Sequence, residues 1–197
     1  KIAAFDGKGQ ISAPYALYKA KNVTDPAVRA RKLHKARPIV PYSRHPMARM
    51  LSLIGRALSF VLRALKGEHF TVHDCGSVPK MLWDMSEQLR GKGALEYRVN
   101  DVESCYTMMP KAAMRMGMRD VLARVKASLP PGAGEDPKVL VPKRGRKRCT
   151  WAQSSRRDVW GHAVISFSTM LEVMDFDLDN CYLATHDGRL LHQTEGI

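Results

Sequence analysis

Residues 95–110 constrain the fold more than any other segment, because two different periodicities follow each other there. Apolar and polar residues alternate from Leu95 to Asn100, which is the period of a half-buried β-strand. Asp101 follows directly, and after Pro110 the spacing becomes helical over residues 111–127. A strand that ends on a carboxylate and leads into a helix predicts a mixed fold in which this carboxylate reaches a cleft.

A long amphipathic helix is predicted from His45 to about Lys66. Its apolar residues recur every three or four positions, so they form one stripe that is expected to pack in the core. Arg49, Arg56 and Arg63 are spaced by seven and lie together on another side, where they could follow a nucleic-acid backbone or simply be solvated. The apolar stripe contains Met47, Met50, Leu51, Ile54, Leu58, Val61, Leu62 and Leu65.

Extended segments are indicated by proline and by turn residues. Pro38 and Pro41 confine residues 36–42 to a sheet edge, since neither can donate to a ladder. Residues 138–151 have the pattern of a hairpin, and residues 181–193 have a clearer one because Asp-Gly stands between their apolar stretches.

Further helices are predicted at residues 78–89, with Leu82 and Trp83 on the buried face, and at residues 160–173. Residues 15–21 could also form a short helix. Amphipathic helices together with short strands joined by turns indicate an α+β fold, in which a small antiparallel sheet packs with the helices.

The balance of charge is the most unusual property of the composition. The 197 residues include 32 Lys and Arg against 19 Asp and Glu, which gives a net charge of +13. Such an excess favours a polyanionic partner, because each neutralised phosphate releases condensed counterions, and it would also suit an acidic membrane surface. A basic run at the tip of the predicted 138–151 hairpin could bind phosphates, act as a nuclear-import signal or merely be solvated. The run contains Lys143, Arg144, Arg146, Lys147 and Arg148.

Several classes of protein are not indicated. The four cysteines lack paired spacing, so neither a disulfide framework nor a zinc knuckle is predicted, and a reducing intracellular compartment is expected. His69, His73 and Cys75 have no fourth ligand at a zinc-site spacing. No apolar run approaches the ~20 residues of a membrane span, and no signal peptide is visible. Because the chain lacks an initial Met and stops after Ile197, we expect it to be an excerpt of a longer protein.

Three motifs, Arg37-Pro-Ile, Asp101-x4-Tyr106 and Gln193-x-x-Gly196, stand in the order found in reverse transcriptases. The chain resembles that family, and within it the Penelope-like or non-LTR retroelement type most. Arg37-Pro-Ile before a long amphipathic helix resembles the fingers motif, and Asp101-x4-Tyr106 after a strand resembles the first catalytic motif. A hairpin followed by Gln193-x-x-Gly196 resembles the entry into the second conserved palm segment.

This resemblance covers the chain from about residue 30 onward and implies the incomplete fingers and palm of a right-hand polymerase. Residues 1–94 would be a fingers-like region and residues 95–197 a partial palm, with the basic hairpin inserted at about 128–158. The implied activity is RNA-directed DNA synthesis from deoxynucleoside triphosphates, with an RNA template and a DNA primer as partners. The product of an active retroelement would act in the nucleus.

The implied reaction is phosphoryl transfer in which two Mg²⁺ ions stabilise the attacking and leaving oxygens. Asp101 would be the catalytic residue that bridges both ions, and the backbone carbonyl of Val102 would add an oxygen ligand. Glu103 is a rival ligand. Tyr106 would lie under the sugar, where an aromatic ring excludes a 2′-hydroxyl group and selects deoxynucleotides.

Nucleotide binding is implied for a second group of residues. Arg37 would hold the triphosphate, because a planar guanidinium grips two phosphate oxygens at once, and Lys35 or Lys32 would be a second phosphate contact. Gln193 and Gly196 would support the templating base and the incoming nucleotide.

One departure from the family limits this interpretation. The later Tyr-x-Asp-Asp hairpin is missing, and Asp175, Asp177 and Asp179 precede the Gln193 segment, which is the wrong order for that role. We therefore predict that this chain alone does not polymerise. The alternatives are a non-catalytic, basic RNA- or DNA-binding protein derived from a retroelement, and a membrane-surface protein built on the basic helix 46–66.

Overall fold

In a computed structural model of the chain, the described residues are 6–18, 26, 36–65, 75–93, 98, 109–145, 147–153 and 159–194. The predicted strand before Asp101, apart from Arg98, and the histidines of the zinc-like pattern lie outside these residues. Among the described helices, none is both long and apolar enough to cross a membrane.

The predicted α+β class is confirmed, since helices and short antiparallel strands occur along the whole described chain. The helices are α1 (Ala48–Ala64), α2 (Val78–Gln88), α3 (Lys111–Ser128) and α4 (Phe167–Asp179). The strands are β1 (Tyr15–Tyr18), β2 (Ala36–Ile39), β3 (Lys138–Pro142), β4 (Thr150–Ala152), β5 (His162–Ser166), β6 (Tyr182–Ala184) and β7 (Leu190–His192).

The described strands form three small antiparallel sheets. β3 is central in the largest, where Val139 lies opposite Trp151 of β4 on one side and Ile165 of β5 on the other. β1 pairs with β2, so the predicted helix at residues 15–21 is wrong at its start, because these residues complete a ladder with the proline-containing edge segment. β6 and β7 form the predicted Asp-Gly hairpin, in which Gly188 takes the positive φ of 80° that the turn requires.

α1 is the centre of the hydrophobic core and packs against β3, β5, α3 and α4. Ile54 and Val61 of the predicted stripe are buried there, whereas Leu62 faces solvent. The core therefore contains residues from both sides of the predicted boundary at position 94. The remaining core residues are Met47, Leu53, Ala57, Leu122, Val125, Val139, Val141, Ala163, Ile165, Phe167, Met170 and Val173.

The predicted helix at residues 160–173 is wrong in its first half. Residues 162–166 form β5 instead, because their alternate side chains enter the core and their backbone pairs with β3. α4 begins only at Phe167, where the Ser166 hydroxyl accepts a hydrogen bond from the Thr169 N–H at 3.2 Å. This N-cap satisfies a first-turn donor and marks the change from strand to helix.

α2 differs from the other helices because none of its residues is buried. Leu82 and Trp83 are 51% and 68% exposed, so the prediction that they lie on a buried face is wrong. Periodicity makes the helix amphipathic, but burial also needs a neighbouring element, and no described element covers this face.

Candidate nucleic-acid interface

The loop between β3 and β4 forms the basic tip, which comprises residues 143–148. It extends directly from the core, because Val141 and Pro142 at the end of β3 are fully buried. On the other side of the loop, Trp151 of β4 packs edge-on against Phe60 of α1, with 5.0 Å between the ring centroids. Burial of these apolar side chains fixes both strands that lead into the tip.

Arg56 of α1 joins the two ends of the basic tip. Its Nη1 donates to the Pro142 carbonyl at 2.7 Å, and its Nη2 donates to the Lys147 carbonyl at 3.2 Å. The Cys149 thiol contacts the Arg56 carbonyl at 3.8 Å, and burial raises the pKa of this thiol. The guanidinium, predicted as a nucleic-acid contact, thus uses two of its donors inside the protein and holds the loop in place.

The cationic side chains of the basic tip point into solvent. Those within the described residues are exposed, and none forms an ion pair with a described carboxylate. Gly145 takes φ 77°, a left-handed conformation that allows the loop to turn back sharply. These exposed cations are Lys143, Arg144, Lys147 and Arg148.

Two further arginines extend the positive surface along α1. Arg49 and Arg63 are each seven residues from Arg56, so each lies about 10 Å from it along the helix axis and on nearly the same face. Both are exposed, and neither pairs with a carboxylate in the part of the chain that the structure describes. The face of α1 that contacts the tip through Arg56 therefore carries a positive charge two turns before this contact, at Arg49, and two turns after it, at Arg63.

A tight turn before β5 presents Trp160 beside the basic tip. The Val159 carbonyl accepts a hydrogen bond from the His162 N–H at 3.1 Å, and Gly161 takes φ 75° at the third position of the turn. The Lys143 N–H donates to the Gly161 carbonyl at 2.9 Å, so turn and tip leave the same end of the sheet. The Trp160 side chain is 97% exposed.

This arrangement can attract and contact a charged polymer. Exposed cations on a fixed loop draw in a polyanion without first having to break internal ion pairs. An exposed indole beside them offers a flat apolar surface on which a planar group can stack. Cationic side chains with an aromatic ring among them are the combination that nucleic-acid-binding surfaces use.

A second group of polar residues forms what we term the polar junction, where the start of α3 and the end of α4 meet segments from both halves of the chain. The Tyr42 hydroxyl lies 3.7 Å from the Cys181 thiol, which donates to the Gln193 amide oxygen at 3.3 Å. The Lys111 ammonium group donates to the backbone carbonyls of Leu178 and Gln193. The polar junction comprises Tyr42, His45, Lys111, Asp177, Cys181 and Gln193.

Burial dominates the electrostatics of the polar junction. It raises the pKa of the Asp177 carboxyl group, although the charges of His45 and Lys111 oppose this rise. Burial also raises the pKa of the Tyr42 phenol, and the Asp177 charge and the Cys181 thiol raise it further. Both effects mean that a negative charge is disfavoured at this position in the fold.

The other two aspartates of α4 pair with arginines of α3. The Arg115 Nε lies 2.9 Å from an Asp175 oxygen, and the same guanidinium pairs with Asp179. Arg119 lies 3.1 Å from the second Asp175 oxygen. These carboxylates link the two helices, and no group of three or more potential metal-ligating side chains occurs within the described ranges.

The predicted site residues are only partly described. Arg37 has its backbone in β2 opposite Leu17, and Gln193 lies in the polar junction. The described cations of the basic tip lie together on one loop, which Arg56 of α1 contacts, whereas Arg49 lies two helical turns before Arg56. The predicted residues outside the described ones are Lys32, Lys35, Asp101, Val102, Tyr106, Arg146 and Gly196.

Two features of this interface are not evident from the sequence. The heptad spacing predicts a solvent-facing Arg56, whereas its carbonyl partners lie 86 and 91 residues away along the chain and have no local signal. The helical pattern predicts Trp160 at the start of a helix, although Gly161 directly after it is a turn signal.

Comparison with known protein families, curated proteins and solved structures finds no match for this chain.

Proposed function

We propose that this protein binds nucleic acid through the basic tip. The observation that carries the proposal is a set of exposed cations, without carboxylate partners among the described residues, on a loop that Arg56 holds in place. The net charge of +13 adds long-range attraction to any polyanion. Because Arg56 holds both ends of the loop, less conformational entropy is lost on binding than for a loop without such contacts.

Phosphate contacts from such a loop are expected to depend little on base sequence, because the phosphates are the same at every nucleotide. Each cation that neutralises a phosphate of a single strand adds about 0.7 to the slope of log affinity against log salt concentration. The four described cations of the tip would thus contribute a slope of about 3. The salt dependence of binding therefore reports directly on this loop.

The test replaces all four described cations of the tip by Gln and measures binding of a labelled single-stranded RNA by fluorescence anisotropy at several salt concentrations. We expect the Kd to rise about 100-fold at low salt and the salt slope to fall by about 3. Circular dichroism should be unchanged, because these side chains are exposed and unpaired in the described structure. The substituted residues are Lys143, Arg144, Lys147 and Arg148.

A matched variant removes the same number of charges from exposed lysines elsewhere, so that both proteins have the same net charge. Its Kd should stay close to that of the wild type. Equal losses in both variants would mean that net charge alone drives binding, and the proposal would be wrong. It would also be wrong if the tip variant bound like the wild type. The control positions are Lys8, Lys80, Lys92 and Lys126.

A more specific function, RNA-directed DNA synthesis by template-directed nucleotidyl transfer, is supported by the polar junction. Tyr42 lies five residues after Arg37, Lys111 lies ten residues after Asp101, and Gln193 begins the third motif. The contacts through the Cys181 thiol and the Lys111 ammonium group join these flanks, which favours a fingers and palm arrangement. In the nucleus, an RNA template and a DNA primer would be the partners.

In this second proposal, Asp101 and the Val102 carbonyl would hold Mg²⁺ ions, which would supply charge stabilisation for phosphoryl transfer. Arg37 would bind the triphosphate, Tyr106 would lie under the sugar, and Gln193 would support the templating base. The basic tip would contact the nucleic acid at a distance from these residues in sequence.

The test is a primer-extension assay on the natural protein that contains this chain, with wild type, Asp101→Ala and, as a control carboxylate on α2, Asp84→Ala. We expect Asp101→Ala to abolish extension while RNA affinity stays within about twofold of wild type, because phosphate contacts elsewhere dominate affinity. Asp84→Ala should behave like the wild type. Undiminished extension by Asp101→Ala, or none by the wild type, would refute the polymerase proposal.

A further inference from the structure

We infer that the basic tip selects unpaired nucleotides, because Trp160 offers a base a stacking surface beside the cations. The inference rests on the proposed nucleic-acid binding and adds the substrate class, which is single-stranded nucleic acid or the unpaired end of a duplex. It concerns a residue that the resemblance to polymerases does not include.

The exposure of Trp160 needs an explanation. At 97% it is the most exposed large apolar side chain among the described residues. A Trp side chain that packs on other groups typically buries about 150–250 Å². Leaving the whole indole in water forgoes that stabilisation, so the position is better suited to contact with a partner than to folding.

The turn that carries Trp160 is held firmly. The His162 Nδ1 lies 3.1 Å from the Trp160 carbonyl oxygen, and the His162 N–H also bonds to the Val159 carbonyl at 3.1 Å. The Lys143 N–H bonds to the Gly161 carbonyl at 2.9 Å. The backbones of Trp160 and Lys143 are therefore within about 10 Å of each other, so one strand could contact both the ring and the cations.

The shape of this surface favours single strands over duplexes. In a duplex the bases stack on one another and present only their edges in the grooves. A ring on a convex turn cannot reach base faces there, whereas every base of a single strand has a free face. Base–aromatic stacking of this kind is worth about 1–3 kcal/mol per base and tolerates any sequence.

Trp83 provides a built-in comparison. It is 68% exposed on α2, but its neighbours Asp84 and Glu87 are acidic, and it is not attached to the basic tip. A general effect of removing an exposed Trp should therefore appear equally at Trp83 and Trp160. A specific stacking contact should appear at Trp160 alone.

The experiment measures the Kd of wild type, Trp160→Ala, Trp160→Phe and Trp83→Ala for a single-stranded RNA and for a duplex of equal length. We expect Trp160→Ala to weaken single-strand binding about 10- to 100-fold and duplex binding less than about twofold. Trp160→Phe should retain most of the affinity. The salt slope should not change, because stacking releases no counterions. Trp83→Ala should match the wild type.

An abasic strand of the same length separates stacking from charge, since it keeps the phosphates but has no bases. Wild type and Trp160→Ala should bind it equally. The inference is wrong if Trp160→Ala weakens single strand and duplex alike, or neither, while the four-cation tip variant still loses affinity; the proposed function then stands. If the tip variant also binds normally, both the inference and the proposed function are wrong.

Discussion

The basic tip and the polar junction both collect polar side chains, but the fold uses the two groups in opposite ways. At the tip, the cations are exposed and have no carboxylate partner within the described residues, and their loop follows directly on the buried side chains of β3. At the junction, the polar groups are half-buried, and several form hydrogen bonds with other parts of the chain, as Lys111 does with the Gln193 carbonyl. The tip leaves its charge available to a ligand, whereas the junction uses its polar groups to join chain segments.

This difference separates binding from stability. Substitution of exposed, unpaired side chains usually changes the free energy of unfolding by less than about 0.5 kcal/mol. Variants of the tip should therefore change affinity alone. Variants beneath the tip or within the junction should change stability first, and affinity should follow only where the loop loses its support.

Ile165→Ala should have the largest effect, because this fully buried residue of β5 packs in the core of the sheet that carries the tip. Removing it is expected to lower the free energy of unfolding by about 2–5 kcal/mol, measured by urea denaturation. Leu191→Ala in β7 is the control; since Leu191 is 50% exposed, its loss should stay below about 1 kcal/mol. Equal losses in the free energy of unfolding at both positions would show that the sheet that carries the tip is no better packed than the β6–β7 hairpin.

Arg56→Gln should loosen the tip without removing any of its exposed cations. The variant loses charge-assisted hydrogen bonds to the Pro142 and Lys147 carbonyls, each worth about 1.5–3 kcal/mol when fully formed. Because solvent reaches the Lys147 contact, we expect stability to fall by about 1–2 kcal/mol and RNA affinity by about fivefold. Arg49→Gln, with the same charge change and no ion-pair partner among the described residues, should alter both less. If the two variants are indistinguishable, Arg56 does not support the tip.

Sequence reasoning succeeds where the determining interactions are local. The helix expected at 111–127 is α3 (Lys111–Ser128), and the Asp-Gly hairpin occurs as β6 and β7, with Gly188 at a positive φ. The basic tip also follows from local pattern, because a charged run between two apolar stretches cannot be buried. Its charge was therefore accessible from the sequence alone.

The predictions that are wrong, and the contacts that were missed, depend on partners far away in the chain. Residues 162–166 form a strand because their backbone pairs with that of β3, and α2 is exposed because no described element covers its apolar face. The Arg56 contacts and the exposure of Trp160 likewise depend on how β3, β5 and α1 meet. The role of Asp101 stays a prediction, because it lies outside the described residues.

Asp136→Ala removes a contact between the start of β3 and the start of α4, at the end of β3 opposite to the tip. We expect this substitution to lower stability without changing RNA affinity. Asp136 accepts hydrogen bonds from the Ser168 N–H at 3.0 Å and the Ser168 hydroxyl at 2.6 Å, and so caps the first turn of α4. Its loss should cost about 0.5–2 kcal/mol of stability with RNA affinity unchanged. Glu135→Ala removes the neighbouring exposed carboxylate and should cost less.

The cost of Asp136→Ala should also depend on pH. Burial raises the pKa of the Asp136 carboxyl group, but the hydrogen bonds from Ser168 outweigh burial, so the pKa is lowered overall. A lowered pKa in the folded state contributes stability above the unfolded value of about 3.9, and this contribution is lost as the pH falls through the folded value. The difference between wild type and variant should shrink in acid, and a difference that grew in acid would contradict the assignment.

Asp177→Asn should change the free energy of unfolding the least, and it should raise stability, whereas the preceding substitutions lower it. The Asp177 carboxyl group is half-buried and receives no hydrogen bond from a described residue, and burial raises its pKa. Because the folded pKa lies above the unfolded one, the ionised group destabilises the fold at neutral pH, and this penalty disappears below about pH 3.9. The variant should gain less than about 1 kcal/mol at neutral pH, since part of the group remains solvated.

The matched substitution is Asp175→Asn, two residues earlier on α4, whose carboxylate pairs with Arg115 and Arg119 and should therefore lower stability when it is neutralised. Thermal unfolding of both variants at neutral and at acidic pH distinguishes the two environments by the sign of the change in Tm, because Asp177→Asn should raise the Tm at neutral pH and Asp175→Asn should lower it. If Asp177→Asn instead lowered the Tm at neutral pH, the carboxylate would be an anchor of the junction. Its charge would then be favoured by His45 and Lys111 more than burial disfavours it, because only a net attraction can make its removal costly.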